Sequence, residues 1–261
     1  MTMKSQVLKQ VGVLILALII AGCATKQNPD PYEGYNRAMF KFNTVTYDYV
    51  LSPVTDGYVA VTPEFFRTGT TNFFNNTFEV PRMGNSIFQG DFVGLGKHAL
   101  RLVLNTVFGV FGLFDVAETM GLPSQENTFG MTLAKWGYRD SPYLVLPFWG
   151  PSTVRGTIGM VPDYFMNPIN IDFYFAKHPF VNPYVGYGAT MLYSVNSASN
   201  FLPQYYNMTE YAIDPYIAVR NAYLQFANAR INEMLNGSPN DHGHAVPEKA
   251  NDQPFPSTSG N

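Results

Sequence analysis

The stretch FVGLGKHALRLVLNTVF, residues 92–108, carries the pattern on which our fold prediction depends. Lys97, Arg101 and Asn105 recur every four residues, with His98 beside them, so on a helix they form one narrow polar stripe. Aliphatic side chains fill about 200° of the remaining circumference. A helix on the outside of a soluble domain usually shows the opposite proportions. Two interpretations therefore stay open: a helix buried on most sides, or one set in lipid with its stripe toward water or headgroups.

The residues that follow, NTVFGVFGLFDVA at 105–117, form an aromatic segment interrupted by glycine. Gly109 and Gly112 predict that the helix ends here and restarts near Leu113, because glycine favours turns and close backbone approach. The aromatic side chains are spaced three residues apart and would form one apolar ridge: Phe108, Phe111 and Phe114. Such a ridge fits either the protein core or a wedge into acyl chains.

Helix-start signals elsewhere predict a mostly α-helical fold. An N-cap residue followed by proline or glutamate marks several starts. The predicted helices cover 53–60, 63–75, 79–89, 92–107, 183–199 and 214–235. In Asp30-Pro31 and Asp214-Pro215 we expect the aspartate to cap a helix and the proline to occupy its first turn. The one fair strand candidate is Tyr143–Phe148, in an extended segment bounded by prolines.

The N-terminal residues are typical of a secretory signal peptide over 1–22, because lysines precede an uncharged aliphatic run that is too short to span a bilayer. The run ends in IAGC at 20–23, which resembles the bacterial lipobox. That resemblance implies that Cys23 carries an S-diacylglycerol and an N-acyl chain, whereas an unmodified thiol after an ordinary signal is the alternative. Ala24 rather than aspartate follows the cysteine, which implies sorting to the periplasmic face of the outer membrane.

The composition indicates a surface that meets lipid or a partner protein. Charged residues make up 13% of the chain, against roughly 25% in ordinary soluble domains, and aromatic residues make up 15%. The net charge of −3 gives no electrostatic basis for binding nucleic acid. We expect 23–29 to be an acylated tether and 30–236 one helical domain. The polar tail at 237–261 is predicted to be disordered.

Motifs along residues 30–235 match one known family in order. They are DPYEGYNR at 30–37 with FN at 42–43, NFF at 72–74, QGD at 89–91, LNT at 104–106, GLFDVA at 112–117, FG at 129–130 with TL at 132–133, WG at 136–137, PY at 142–143, ST at 152–153 and DPY at 214–216. This set resembles the MlaA (VacJ) family of outer-membrane phospholipid-transport lipoproteins. The likeness does not extend into the tail beyond 237.

The resemblance implies a single ring-shaped helical domain embedded in the inner leaflet of the outer membrane. It implies binding to a trimeric porin and a central amphipathic channel through which misplaced phospholipid leaves the outer leaflet. The periplasmic carrier MlaC would receive that lipid, which maintains lipid asymmetry. Our candidates for the channel or its rim lie in three places, where ordinary packing is the alternative role: Lys97 and Arg101, then Phe108, Gly109, Phe111, Gly112, Phe114 and Asp115, then Tyr143 and Phe148.

Two other functions are alternatives to lipid transport. A hydrolase needs a nucleophile with a positioned base, and neither a Gly-x-Ser-x-Gly elbow nor a His-Glu-x-x-His helix occurs. The four histidines are scattered, with His98 and His178 far apart and His242 and His244 in the tail. We therefore expect neither catalysis nor a metal or cofactor beyond the acyl groups on Cys23. The second alternative is a structural envelope lipoprotein that binds a porin without moving lipid.

Overall fold

The computed structural model describes residues 30–170 and 182–236. The predicted signal peptide, Cys23 with its tether, His178 and the tail from 237 lie outside the described residues. In chain order the elements are α1 Glu33–Thr46, a π-helical segment Tyr47–Leu51, α2 Ser52–Val61, α3 Glu64–Gln89, α4 Phe92–Val107, α5 Val116–Thr119, α6 Phe129–Lys135, β1 Tyr143–Leu146, β2 Gly150–Thr153, α7 Val154–Met166, α8 Pro183–Thr209 and α9 Pro215–Asn236.

The fold is mostly α-helical, as the sequence predicts. Within the two described ranges, no helix is both long enough and apolar enough to cross a membrane. The ring shape and the embedding in a leaflet, which the family resemblance implies, stay predictions.

α3 is one helix of 26 residues, so the prediction of two helices over 63–75 and 79–89 was wrong. The helix runs through Pro81, although proline inside a helix normally costs about 3 kcal/mol or more through its missing donor and its ring clash. Pro81 is buried, and α3 packs most extensively on α4. Tertiary packing along the helix therefore outweighs the local preference for a break. Gly90, in the left-handed conformation with φ 66°, ends it.

The two Asp-Pro starts differ in the structure. Asp214 accepts a hydrogen bond from the Ile217 N–H at 3.2 Å and so caps α9, as predicted. Asp30 does not cap α1, which has no side-chain cap. It is buried instead and accepts hydrogen bonds from the Asn36 amide at 2.9 Å and from the Tyr216 hydroxyl. The carboxylate therefore joins α1 to α9, a long-range role that its local sequence does not reveal.

A two-stranded antiparallel hairpin packs on α1, with Tyr143 opposite Thr153 and Leu146 opposite Gly150. The predicted strand is confirmed over Tyr143–Leu146, whereas β2 was not predicted. Two buried asparagines of α1 bind the backbone of β1 and of the turn that follows it. Asn36 donates to the Tyr143 carbonyl at 3.1 Å and accepts from the Val145 N–H at 2.8 Å. Asn43 donates to the Leu146 carbonyl at 2.8 Å and accepts from the Phe148 N–H at 2.7 Å.

The buried apolar clusters lie beside this hairpin. They are formed by α1, β1, α8, α9 and the π-helical segment, and their members are Tyr47, Tyr143, Val145, Leu202, Tyr205, Tyr216 and Val219. Many of the other buried positions are polar, including Asn85, Glu79 and Arg101. The interior of the α3–α4 half is thus held by hydrogen bonds and charge as much as by apolar packing.

Candidate functional site

Helix α4 buries its polar face and exposes its apolar face. The polar stripe of His98, Arg101 and Asn105 is buried against α3, and the opposite face is exposed aliphatic and aromatic surface. The exposed residues follow one another at helical spacing along the whole of α4: Phe92, Val93, Leu100, Val103 and Val107. Neither interpretation from the sequence matches this arrangement. One buried the helix on most sides, and the other turned the polar stripe toward water or headgroups, whereas the structure buries the stripe and exposes the apolar face.

Glu79 of α3 is the acceptor at the centre of the stripe, and its side chain is fully buried. His98 Nδ1 lies 2.6 Å from Glu79 Oε2, while Arg101 Nε donates to Oε1 at 2.8 Å and Arg82 donates to it at 3.1 Å. Burial alone would raise the pKa of the Glu79 carboxyl. The hydrogen bond from His98 and the two guanidinium groups outweigh it and hold that pKa below its ordinary value.

Arg101 connects this buried cluster to the loop that follows α4. Its Nη2 donates to Asp115 at 2.7 Å, and a second donor bonds the Leu122 carbonyl. Asn105 donates to Asp115 at 3.0 Å and accepts from the Ala117 N–H at 2.8 Å. Burial would raise the pKa of Asp115, but the hydrogen bonds from Arg101, the Glu118 N–H and Asn105 lower it. We name Glu79, Arg82, His98, Arg101, Asn105 and Asp115 the buried ion cluster.

The cluster supports a turn of exposed aromatic side chains, residues 108–115, which we call the aromatic turn. Phe111 is 74% exposed, and Phe108 and Phe114 are nearly as accessible, which excludes the core as their location. Val110 and Phe111 adopt left-handed backbone conformations, with φ of 52° and 57°. Such conformations are unfavourable for side chains with a Cβ, and they persist where the surroundings enforce them. The chain resumes helix at Val116, later than the predicted restart at Leu113.

Two positions of the aromatic turn have no room for a Cβ atom and therefore require glycine. A Cβ on Gly112, which has φ 91°, would lie 2.6 Å from the Asn76 side chain. One on Gly109 would meet the Phe114 carbonyl oxygen at 2.2 Å. α3 holds the turn from beneath, since Asn72 donates to the Leu113 carbonyl at 3.1 Å and Asn76 donates to Thr106 at 3.0 Å. The exposed aromatic rings therefore belong to a turn whose backbone is held in place by close packing and by hydrogen bonds from α3.

The remaining sequence candidates fall into different surroundings. Arg101 is 2% exposed and fully engaged, so it offers no surface to a headgroup, contrary to the expectation for the stripe. Tyr143 packs in the core, where burial raises the pKa of its phenol. Phe148 lies exposed at the tip of the hairpin, next to exposed Trp149 and edge-on to Phe42 at 5.1 Å. Lys97 is half-buried on α4.

A cleft of about 420 Å³ opens between α6, α7, α9 and β2, and sequence reasoning missed it. Its lining includes polar residues, Thr128, Ser152, Thr153 and Arg155, and apolar residues, Met160 and Phe226. Its lining comes from residues spread over 126–231, so no single local motif covers it. The Ser152-Thr153 pair, which lies in a family motif, was the available signal.

Three glycines bring α6 and α7 together beneath this cleft. A Cβ on Gly159 would lie 2.3 Å from the Gly130 nitrogen, and one on Gly130 would lie 3.2 Å from the Gly156 Cα. Asp163 of α7, at the cleft, accepts from Asn85 at 2.8 Å and from the Phe129 N–H at 3.0 Å. Burial raises the pKa of Asp163 despite these hydrogen bonds. Over the described ranges, no group of three or more His, Cys, Asp or Glu side chains is placed to hold a metal ion.

These features define a class: a helical protein that turns its charged groups inward and presents aliphatic and aromatic groups outward, beside a half-polar cleft. The chain belongs to the MlaA lipoprotein family, whose model matches residues 28–230. The family prediction made from the motifs is therefore confirmed.

Curated relatives cover most of this chain and most of their own length. The intermembrane phospholipid transport system lipoprotein MlaA of Escherichia coli K12 is 32% identical over 217 residues, 79% of this chain and 82% of that protein. The protein of the same name from Haemophilus influenzae is 30% identical over 233 residues, 84% and 89% respectively. An uncharacterized protein of Rickettsia felis is 34% identical over 194 residues, 74% of each chain.

A solved structure agrees with the same assignment. It was described as the structural basis for maintenance of bacterial outer membrane lipid asymmetry, and it superposes with a TM-score of 0.62 at 31% identity. The match covers 78% of this chain and 99% of that one.

Proposed function

We propose that this protein is an outer-membrane lipoprotein that removes mislocalised phospholipid from the outer leaflet and passes it to a periplasmic carrier, MlaC, without catalysis. Its role maintains the lipid asymmetry of the outer membrane. Acyl chains on Cys23 anchor it to the periplasmic face, and a trimeric porin holds it in place. Family membership supports the transport role, because relatives that match over most of their length are named for intermembrane phospholipid transport.

The observation that carries the proposal is the outward apolar face of α4 together with the aromatic turn. Contiguous exposed apolar surface of this extent marks a site of contact with lipid or protein. We propose that the body lies in one leaflet of the outer membrane. Rings of Phe108, Phe111 and Phe114 would then face acyl chains. The buried ion cluster keeps the charges of α4 away from hydrocarbon, where an unpaired charge is costly.

The experiment compares outer-leaflet phospholipid in the native organism, in a deletion strain, and in that strain carrying the gene. We expect outer-leaflet phospholipid to accumulate in the deletion strain and to return to its normal level on complementation. Unchanged lipid asymmetry in the deletion strain would contradict the transport role. It would favour the alternative, a structural lipoprotein that binds a porin without moving lipid.

Anchoring is tested with Cys23→Ser, which removes the acylation site. If the body contributes its own lipid contact, part of the variant will still sediment with membranes. Complete release into the periplasm would show that the acyl chains supply all of the binding.

A further inference from the structure

Arg155, the second residue of α7, is a buried cation that lines the cleft and is 5% exposed. Its Nη1 donates to the Tyr138 carbonyl at 3.1 Å and to the Arg139 carbonyl. Both acceptors are uncharged. Among the described residues no carboxylate lies within ion-pair distance of its guanidinium, and neither Nε nor Nη2 has a hydrogen-bond acceptor there.

The other charged groups of the cleft are already compensated. Arg230 pairs with Glu126 at the rim, where both are exposed. Asp163 accepts hydrogen bonds from Asn85 and from the Phe129 N–H. Arg155 is therefore a charge on the described lining of the cleft without an ion-pair partner, and the Asp140 carboxylate acts on it only from beyond ion-pair distance. A buried guanidinium without a counter-charge is unfavourable, and an anion bound beside it would relieve that cost.

The position of Arg155 at the start of α7 adds a favourable field for an anion, because the N-terminus of a helix is its positive end. The helix supplies little direct hydrogen bonding. The Val154, Arg155 and Gly156 N–H groups are already accepted by Pro142, Ser141 and Thr153. The donors of Arg155 that have no acceptor among the described residues are Nε and Nη2. This part of the guanidinium fork suits the paired oxygens of a phosphate.

The apolar part of the cleft lining selects among anions. Met160 and Phe226 offer apolar surface within the same space, which a free anion would leave unused. A ligand that contacts both Arg155 and the apolar part of the lining is an amphiphile with an anionic oxygen group and a hydrocarbon chain.

We propose that Arg155 binds the phosphate of a phospholipid headgroup in this cleft. The proposal rests on the transport function proposed above and names one residue that contacts the lipid during it. Arg155 binds through its Nε and Nη2 donors while Nη1 stays on the two carbonyls, so that lipid binding needs no rearrangement of the loop at 138–139.

The test uses the full-length protein in non-ionic detergent and measures retained lipid by native mass spectrometry. The probes are dioleoyl phosphatidylethanolamine and dioleoylglycerol, which carry the same acyl chains and differ by the phosphate headgroup. Wild-type protein is expected to prefer the phospholipid by about tenfold or more, the range expected of a charge-assisted hydrogen-bonded contact. Arg155→Gln should reduce the preference to near unity, and Arg155→Lys should retain part of it.

Arg230→Gln is the matched control, since it removes the same charge from the same cleft but at an exposed, already paired position. It should leave the preference intact. An unchanged preference in Arg155→Gln overturns the inference, and so does an equal loss in both variants, which would indicate a general field effect. If wild-type protein retains neither lipid, the proposed function fails together with this inference. If wild-type protein prefers the phospholipid and Arg155→Gln shows the same preference, the inference fails and the proposed function stands.

A measurement on wild-type protein covers the case in which Arg155→Gln does not fold. Glycerophosphoethanolamine should displace bound phospholipid at concentrations where glycerol does not. Inorganic phosphate displacing it equally well would overturn the headgroup assignment in favour of a free-phosphate site. No displacement by either phosphate compound would overturn the site itself.

Discussion

Replacing Glu79 with glutamine should destabilise the protein and loosen the aromatic turn. The variant keeps the size of the side chain and removes its charge, which leaves Arg82, His98 and Arg101 facing a neutral amide in a fully buried position. Breaking a buried ion pair by removing one partner typically costs 3–5 kcal/mol, roughly, because the other charge stays desolvated. Three donors converge on Glu79, so we expect the upper part of that range, about 4–5 kcal/mol.

The change should also be visible in the pH dependence of stability. The folded-state pKa of Glu79 is held below its ordinary value of 4.5. Its ion pairs therefore stabilise the fold fully above the unfolded-state pKa, and this stability is lost as the pH falls through the folded-state pKa. Glu79→Gln should flatten the acid limb of the stability curve below about pH 4.5. The part due to Asp115, whose pKa is also lowered, should remain.

The assays are denaturant unfolding in non-ionic detergent across pH, and amide hydrogen exchange at residues 108–115. Exchange there should accelerate, because Arg101 bonds both Glu79 and the Asp115 that ends the aromatic turn. Glu33→Gln serves as control: Glu33 pairs with Arg37 at 2.7 Å on the surface, and its loss should cost less than about 1 kcal/mol. A Glu79→Gln variant within about 1 kcal/mol of wild type, with unchanged exchange, would refute the reasoning.

Two further predictions concern the aromatic turn itself. Gly112→Ala should lower the free energy of unfolding by about 1–3 kcal/mol or more, since φ is 91° and the new Cβ would meet Asn76 at 2.6 Å. The control Gly57→Ala lies at an open helical position and should be neutral or stabilising by up to about 1 kcal/mol. Equal unfolding free energies for the two variants would contradict this prediction. Phe111→Ser, in a Cys23→Ser background, should reduce co-sedimentation with phosphatidylethanolamine–phosphatidylglycerol vesicles about tenfold or more while barely changing the melting temperature. Tyr211→Ser, equally exposed between α8 and α9, should bind like wild type, and an equal loss there would exclude a special role for the turn.

The sequence predicted which segments are helical more reliably than what those helices face. The spacing of Lys97, Arg101 and Asn105 was sufficient to predict α4 and its stripe. Amphipathic spacing identifies two faces but does not say which one meets the protein, and the partner that decides it, Glu79, lies on another helix. The same limit applies to Asp30, whose local context is that of an N-cap but whose partners Asn36 and Tyr216 lie in α1 and α9.

The candidate site was predicted in part. The aromatic turn was identified as a break in a helix, since Gly109 and Gly112 signal it locally, and its exposure was one of two alternatives. The cleft was not anticipated because its walls come from four elements that meet only in the folded chain. Arg155 carries no local signal that separates it from other arginines; only its burial without a carboxylate partner does so.

The spacing of the two buried asparagines of α1 matches the spacing of their backbone partners on the hairpin. Asn36 and Asn43 are about two helical turns apart, so both point the same way, and seven residues of α helix advance about 10.5 Å. Their partners on the hairpin are displaced by three residues, from Tyr143 to Leu146, and three residues of strand advance about 10 Å. Because the two lengths agree, one helix fixes the position of a strand whose sheet, within the described ranges, has two strands. A single residue inserted between the asparagines would turn the second by about 100° away from the strand, so insertions at 37–42 should be far less tolerated than substitutions there.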